Sequence, residues 1–123
     1  VAYRHAMDFI LELGRENISA HEHALLTYAT ERIAALKKVR LIGTSRNKVA
    51  LVAFTVEGIH HFDIGQMLDA RGIAVRTGHH CTQPLMECYG LEGTVRASFS
   101  VYNTKKEIDQ LVEGLERIIN FMK

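Results

Sequence analysis

The sequence predicts an α+β fold, a small and mainly antiparallel sheet with helices packed on one face, and three observations carry that prediction. Apolar residues recur every three or four positions towards both ends of the chain. Between these stretches lie one continuous β-branched run and one strictly alternating run. The elements follow the order helix, helix, strand, strand, helix, strand, strand, helix, which does not give the regular alternation of a parallel α/β sheet.

The first helix rests on Ala2, Ala6, Phe9, Ile10 and Leu13, with Gly14 as the residue just past its end. Ser19 and Glu22 form a capping box that should open a second, long helix, whose buried stripe is Leu25, Leu26, Ala29, Ile33 and Leu36. His21 and His23 fall in its first turn, where they are read as solvated. Val39 to Gly43 reads as a short strand, and Ser45 to Lys48 as a polar turn. Val49 to Val56 is a continuous run of apolar and β-branched residues and suits a central strand buried on both faces. Asp63 is placed to cap a third helix, with Ile64, Met67 and Leu68 inward and Gly72 ending it. Ile73-Ala74-Val75 then forms a short strand leading into a polar loop. After Pro84, Leu85, Met86 and Tyr89 make a turn of helix closed by Gly90. Thr94 to Val101 alternates, with Val95, Ala97, Phe99 and Val101 on one face, so Arg96 points away from the apolar side. Thr104 and Glu107 form another capping box, followed by the stripe Ile108, Leu111, Val112, Leu115, Ile118, Ile119 and Met122.

At 123 residues the chain is read as one domain, and its abrupt helical start at Val1 suggests a piece of something longer. A net charge of +1 carries no electrostatic sign of a nucleic-acid partner. No apolar run approaches the roughly 18 residues of a membrane span, and the N-terminus lacks signal-peptide order. With only two cysteines, Cys81 and Cys88, a soluble, cytoplasmic protein with reduced thiols is the expectation.

The chemistry concentrates in Arg76-Thr77-Gly78-His79-His80-Cys81-Thr82-Gln83-Pro84. A nucleophilic cysteine acts as thiolate, which nearby cations favour, and Arg76, His79 and His80 can supply them. The residues alone leave Cys81 between a nucleophile and a small packed hydrophobe. Cys88, at helical spacing between Met86 and Tyr89, is assigned to packing. A zinc site built from His60, His61, His79, His80 and Cys81 lacks any Cys-x-x-Cys or His-x-x-x-His pair, so no metal is assigned. Arg96 is either solvated or presents its fork to a carboxylate.

Beyond this point the sequence speaks through resemblance. Gly72 to Cys81, Pro84-Leu85-Met86, Val95-Arg96-Ala97-Ser98 and Tyr102-Asn103-Thr104 closely resemble the C-terminal part of the Suf-type (group II) cysteine desulfurases and selenocysteine lyases, pyridoxal-phosphate enzymes related to the class-V aminotransferases. The likeness extends through the Glu-Asn-Ile-x-Ala-x-Glu pattern at 16 to 22 and through Ala29-Thr30-Glu31-Arg32. It implies the C-terminal small domain of a fold-type I pyridoxal-phosphate enzyme, residues 1–123, with the cofactor held by an N-terminal large domain and by no residue here. It further implies that L-cysteine, or L-selenocysteine, loses its sulfur or selenium to leave alanine. Cys81 matches the persulfide-forming cysteine, Arg96 the arginine that binds the substrate carboxylate, and Arg76 a second arginine near the substrate. His79 and His80 match loop histidines to which no role is assigned. The family's cofactor lysine follows a histidine, and no lysine of this chain has that context. The fragment alone is therefore expected to be inactive and to show no cofactor absorbance. The parent is expected to be a homodimer that passes sulfur to a Suf-type acceptor protein for iron-sulfur cluster assembly. The alternatives are a selenocysteine lyase or other class-V aminotransferase-like enzyme and, from another class, a stand-alone sulfur-carrier or interaction domain using Cys81.

Overall fold

The computed structural model of the chain describes residues 1–122. Its elements are α1 (Ala2–Leu13), α2 (Arg15–Ala34), β1 (Val39–Ile42), β2 (Leu51–Val56), α3 (His61–Asp69), β3 (Arg76–Gly78), α4 (Gln83–Tyr89), β4 (Thr94–Ser98) and α5 (Lys105–Phe121). The four strands form one sheet in the order β1-β2-β4-β3, and every neighbouring pair is antiparallel. This is the predicted α+β architecture.

One face of the sheet makes the core. Val52, Phe54 and Val56 of β2 join Val95 and Ala97 of β4, and this surface packs against Leu25, Leu26, Ala29 and Ile33 of α2, Ile64 and Leu68 of α3, and six apolar residues of α5. Fully burying a residue of this size is worth about 1.5–3 kcal/mol, so this layer dominates the fold's stability. Leu51, Ala53 and Thr55 are only half-buried, so β2 alternates instead of being buried on both faces as its composition suggested. The reason is that α2, α3 and α5 all draw on the same face, leaving the other open. The regular stripe of α5 is buried from Ile108 to Ile119, and only Met122, beyond the helix, is exposed. Thr104 forms the predicted capping box, accepting from the Glu107 N–H while the Glu107 carboxylate accepts from the Thr104 N–H at 2.7 Å.

Several element ends differ from the sequence reading. Gly14, at φ 83°, ends α1 and also starts α2, its carbonyl accepting from the Ile18 N–H at 3.0 Å. Helix therefore resumes at Arg15, and Ser19 and Glu22 lie inside α2 instead of opening it. The Asn17 amide satisfies the Leu13 carbonyl at the join. At α3 the cap is His60, whose Nδ1 accepts from the Phe62 N–H at 3.2 Å, and Asp63 sits in the first turn. The strand expected at 73–75 lies instead at Arg76–Gly78. Ile73 and Val75 are spent packing against the core. β4 stops at Ser98, short of the predicted Val101. Cys88, assigned to packing, is exposed, because α4 buries Met86 as its single buried residue.

β3 has three residues, and two close approaches hold it. The Thr77 methyl lies where a Cβ on Gly65 of α3 would come to 2.7 Å, and the backbone of Gly78 lies 2.8 Å from where a Cβ on Gly93 would be. A side chain at Gly93 would meet backbone, which cannot turn aside. Gly93→Ala is therefore expected to lower the unfolding free energy by about 1–3 kcal/mol, the usual range for overpacking. Urea denaturation of the chain checks this, and an unchanged midpoint would show that the β3 edge yields.

Candidate active site

The β3–β4 register sets the site. Arg76 is the cross-strand partner of Arg96, Thr77 of Val95 and Gly78 of Thr94. Val95 and Ala97 occupy the core face, so Thr94, Arg96 and Ser98 share the other with Arg76 and Gly78. Arg76 and Arg96 thus stand opposite each other on the open side of the sheet, where directly opposed side chains have Cβ atoms about 4.5–5.5 Å apart. Arg76 is exposed and Arg96 half-buried. The Arg96 Nε is buried and has no hydrogen-bond partner. Two facing guanidinium groups, one with an unused donor, make a place for an anion, and a guanidinium fork matches a carboxylate in particular.

The loop after β3 brings the thiol to this edge. Cys81 lies three residues beyond Gly78 and is exposed as a free thiol. His80 and Cys81 are consecutive left-handed residues, with φ of 54° and 59°, a region that costs a residue with a Cβ about 1–2 kcal/mol. Local bonds close the turn: His79 Nδ1 accepts from the Cys81 N–H at 3.1 Å, and the His79 carbonyl accepts from the Thr82 N–H at 2.9 Å and its hydroxyl at 2.7 Å. His80 leaves the turn, its Nε2 lying 3.0 Å from the Thr94 hydroxyl. Thr94 is 1% exposed and, among the described residues, is the single buried polar side chain.

Two histidines line the root of the loop. Burial first, then the Arg96 charge, hold the His80 imidazole below the ordinary histidine range, and Arg76 and His61 add to this against a smaller opposing effect of Thr94. Burial likewise lowers His61, helped by His60, whose ring lies 4.1 Å away between centroids. The His61 Nδ1 is buried without a partner. His60 itself faces outward to Glu92 at 3.3 Å. Among the described residues no three of His, Cys, Asp and Glu come together as a metal site.

The structure therefore brings Arg76, Arg96 and the Cys81 loop to one edge of the sheet and sends Cys88 to an exposed helix face elsewhere on α4. The sequence reading gave Thr94 and Gly93 no part in the site and weighed His61 only as a zinc ligand. Thr94 had a signal, since the alternation of β4 places it on the face of Arg96. Its pairing with His80 became visible only with the register.

Known proteins share this frame. The aminotransferase class-V family model matches residues 1–111. A probable cysteine desulfurase of Streptomyces coelicolor is 48% identical over 118 residues, covering 94% of this chain and 28% of that protein. A cysteine desulfurase of Pectobacterium atrosepticum is 45% identical over 92% of this chain and 28% of its own length. Among solved structures, the apo cysteine desulfurase of Thermococcus onnurineus superposes with a TM-score of 0.86 at 37% identity, over 93% of this chain and 29% of that one. The cysteine desulfurase CsdA of Escherichia coli, in an S-sulfonic acid form, gives 0.86 at 33% identity over 94% of this chain and 29% of that one. The chain spans less than a third of the length of these relatives.

Because His61 and His80 resist protonation in the folded chain, the unfolded chain binds more protons as pH falls below about 6.5. Folding stability should consequently drop as the pH passes down through that value, and replacing both histidines by glutamine should flatten the drop. Denaturation midpoints measured across this range check it; an equally steep fall in the double variant would refute the assignment.

Proposed function

The chain belongs to the class-V aminotransferase family, and from that premise we propose that it is the C-terminal, substrate-facing domain of a longer Suf-type (group II) cysteine desulfurase. Two observations support a longer parent. The relatives are more than three times the length of this chain, which covers 28% of them. Helix α1 buries no residue and leaves Tyr3, Met7, Phe9, Ile10 and Leu11 exposed, a face that an additional domain would cover.

The parent's cofactor in this reading is pyridoxal phosphate. Residues 57 to 103, which include the whole loop and both of its flanking strands, contain no lysine. Lys48 is engaged with the Gly43 carbonyl, and Lys105 lies over the Tyr28 ring. The residues present do not fit the cofactor, which another part of the parent must hold. They fit the substrate instead.

In this reading Arg96, with Arg76 opposite, receives the carboxylate of L-cysteine, and the unpartnered Arg96 Nε is the observation that carries the assignment. The Cys81 thiolate forms an S–S bond to the substrate sulfur as the bond from that sulfur to carbon breaks. The electron pair stays with the carbon, which takes up a proton and leaves as L-alanine, and a persulfide remains on Cys81. Exposure of Cys81 suits the next step, transfer of the outer sulfur to an acceptor protein of the Suf type for iron-sulfur cluster assembly. L-selenocysteine is a second substrate of the same geometry, and a homodimeric, cytoplasmic parent completes the proposal.

Cys81→Ala in the parent should abolish alanine release from cysteine, and activity retained at the wild-type level would refute the nucleophile. Arg96→Ala should raise KM for cysteine by roughly thirty-fold, the factor that about 2 kcal/mol of lost charge-assisted hydrogen bonding gives. An unchanged KM would place the carboxylate elsewhere.

A further inference from the structure

The turn that carries Cys81 is unusual in having two successive residues with a Cβ in the left-handed region, His80 and Cys81. Such backbone persists only where surrounding contacts over-determine it. The bonds from His79 to Cys81 and Thr82 lie within the turn itself. They fix its shape but not its place on the sheet. Of the side-chain hydrogen bonds made by residues 79 to 82, among the described residues, only that between His80 Nε2 and Thr94 Oγ1, at 3.0 Å, reaches the sheet.

The anchor at its other end is well made. Thr94 is 1% exposed, pairs in register with Gly78 and precedes Arg96 by two residues on the same strand and face. Two residues along a strand span about 6.6–6.8 Å, so the hydroxyl that holds His80 sits at a fixed offset from the guanidinium that receives the carboxylate. The Gly93–Gly78 approach, with no room for a Cβ, keeps β3 and β4 from shifting relative to each other. The imidazole thus fastens the thiol to the strand that carries Arg96.

We infer that His80 is a positioning residue for sulfur transfer, holding Cys81 through Thr94 at the distance and direction from Arg96 that the substrate's sulfur and carboxylate require. The inference rests on the desulfurase reading for its chemistry, although the clamp itself can be tested without any turnover. His80 touches neither the substrate nor the reacting sulfur in this role. It acts through the backbone of Cys81. Misplacing a nucleophile by about an ångström costs on the order of a hundred-fold in rate, so a partly loosened clamp should cost about ten-fold and should appear in kcat, while Arg96 keeps substrate binding intact.

The test uses Thr94→Val, which keeps the shape and removes the hydroxyl, Thr94→Ser, which keeps the hydroxyl, and His80→Ala. Amide hydrogen exchange of the chain, read by NMR, should show Cys81 and Thr82 exchanging at least about ten-fold faster in Thr94→Val and His80→Ala, with Phe54 and Val95 in the core unchanged. Thr94→Ser should behave as wild type. In the parent the first two variants should lose about ten-fold in kcat with KM within two-fold, and Thr94→Ser should restore the rate. Exchange at Cys81 and kcat both within two-fold of wild type in Thr94→Val and His80→Ala would overturn the inference. So would acceleration spread evenly over the core, which marks general destabilisation. If Cys81→Ala leaves turnover intact, the desulfurase reading fails, and the exchange measurement still decides whether the clamp exists.

Discussion

Arg76 and Arg96 face each other because β3 and β4 pair in one register, and most of what surrounds them serves to keep that register. Like charges directly opposed on a sheet repel by something on the order of 0.5 kcal/mol. The buried, unpartnered Nε of Arg96 is the larger liability, at about 1–3 kcal/mol for an unsatisfied donor. Both costs are relieved by one event, the arrival of an anion with two acceptor oxygens. In the proposed reading these costs belong to a site finished by its ligand, whereas a structural ion pair would have brought a carboxylate of its own. Nothing in the core requires an arginine at either position, since the core lies on the opposite face of the sheet.

The frame is built to support a strand too short to support itself. Three residues of β3 provide few ladder bonds. Its place is fixed by the Gly65–Thr77 contact from α3, by the Gly93–Gly78 contact at the start of β4, and by Ile73 and Val75 just before it, which pack against the core. Helix α5, which has the longest buried stripe, holds α3 through Gly114, where Leu68 and Ile73 come within 3.1 Å of where a Cβ would stand. A contact chain therefore runs from the helical layer to the loop, so that substitutions far from Cys81 can reach it by moving β3.

How much of this could be read in the sequence depended on whether the signal was local. The alternation of β4 placed Arg96 away from the core without knowledge of its neighbours, because a strand's faces follow from parity alone. The stripes of α2 and α5 were legible for the same reason. Nonlocal facts were not. That β2 has only one buried face depends on where three helices settle, and its composition gave no hint. Ser19 and Glu22 have the pattern of a helix start, yet the helix was already running from Arg15, because Gly14 joins α1 to α2 without a gap. The opposition of Arg76 and Arg96 and the reach of His80 to Thr94 are matters of register, which no short motif encodes. Cys81 itself stayed ambiguous until the whole loop was seen to resemble a known one. Its exposure then separated it from an ordinary packed thiol, though Cys88, read as packed, proved exposed as well.

Exposure alone therefore does not distinguish the two cysteines, and only the loop that faces the arginine pair does. The direct measurement is peptide mass spectrometry of the parent enzyme after reaction with a limiting amount of L-cysteine, without an acceptor or reductant. The geometry predicts one additional sulfur atom on the peptide that carries Cys81 and none on the peptide that carries Cys88. Alanine released with the extra sulfur on Cys88, or on neither cysteine, would contradict the account.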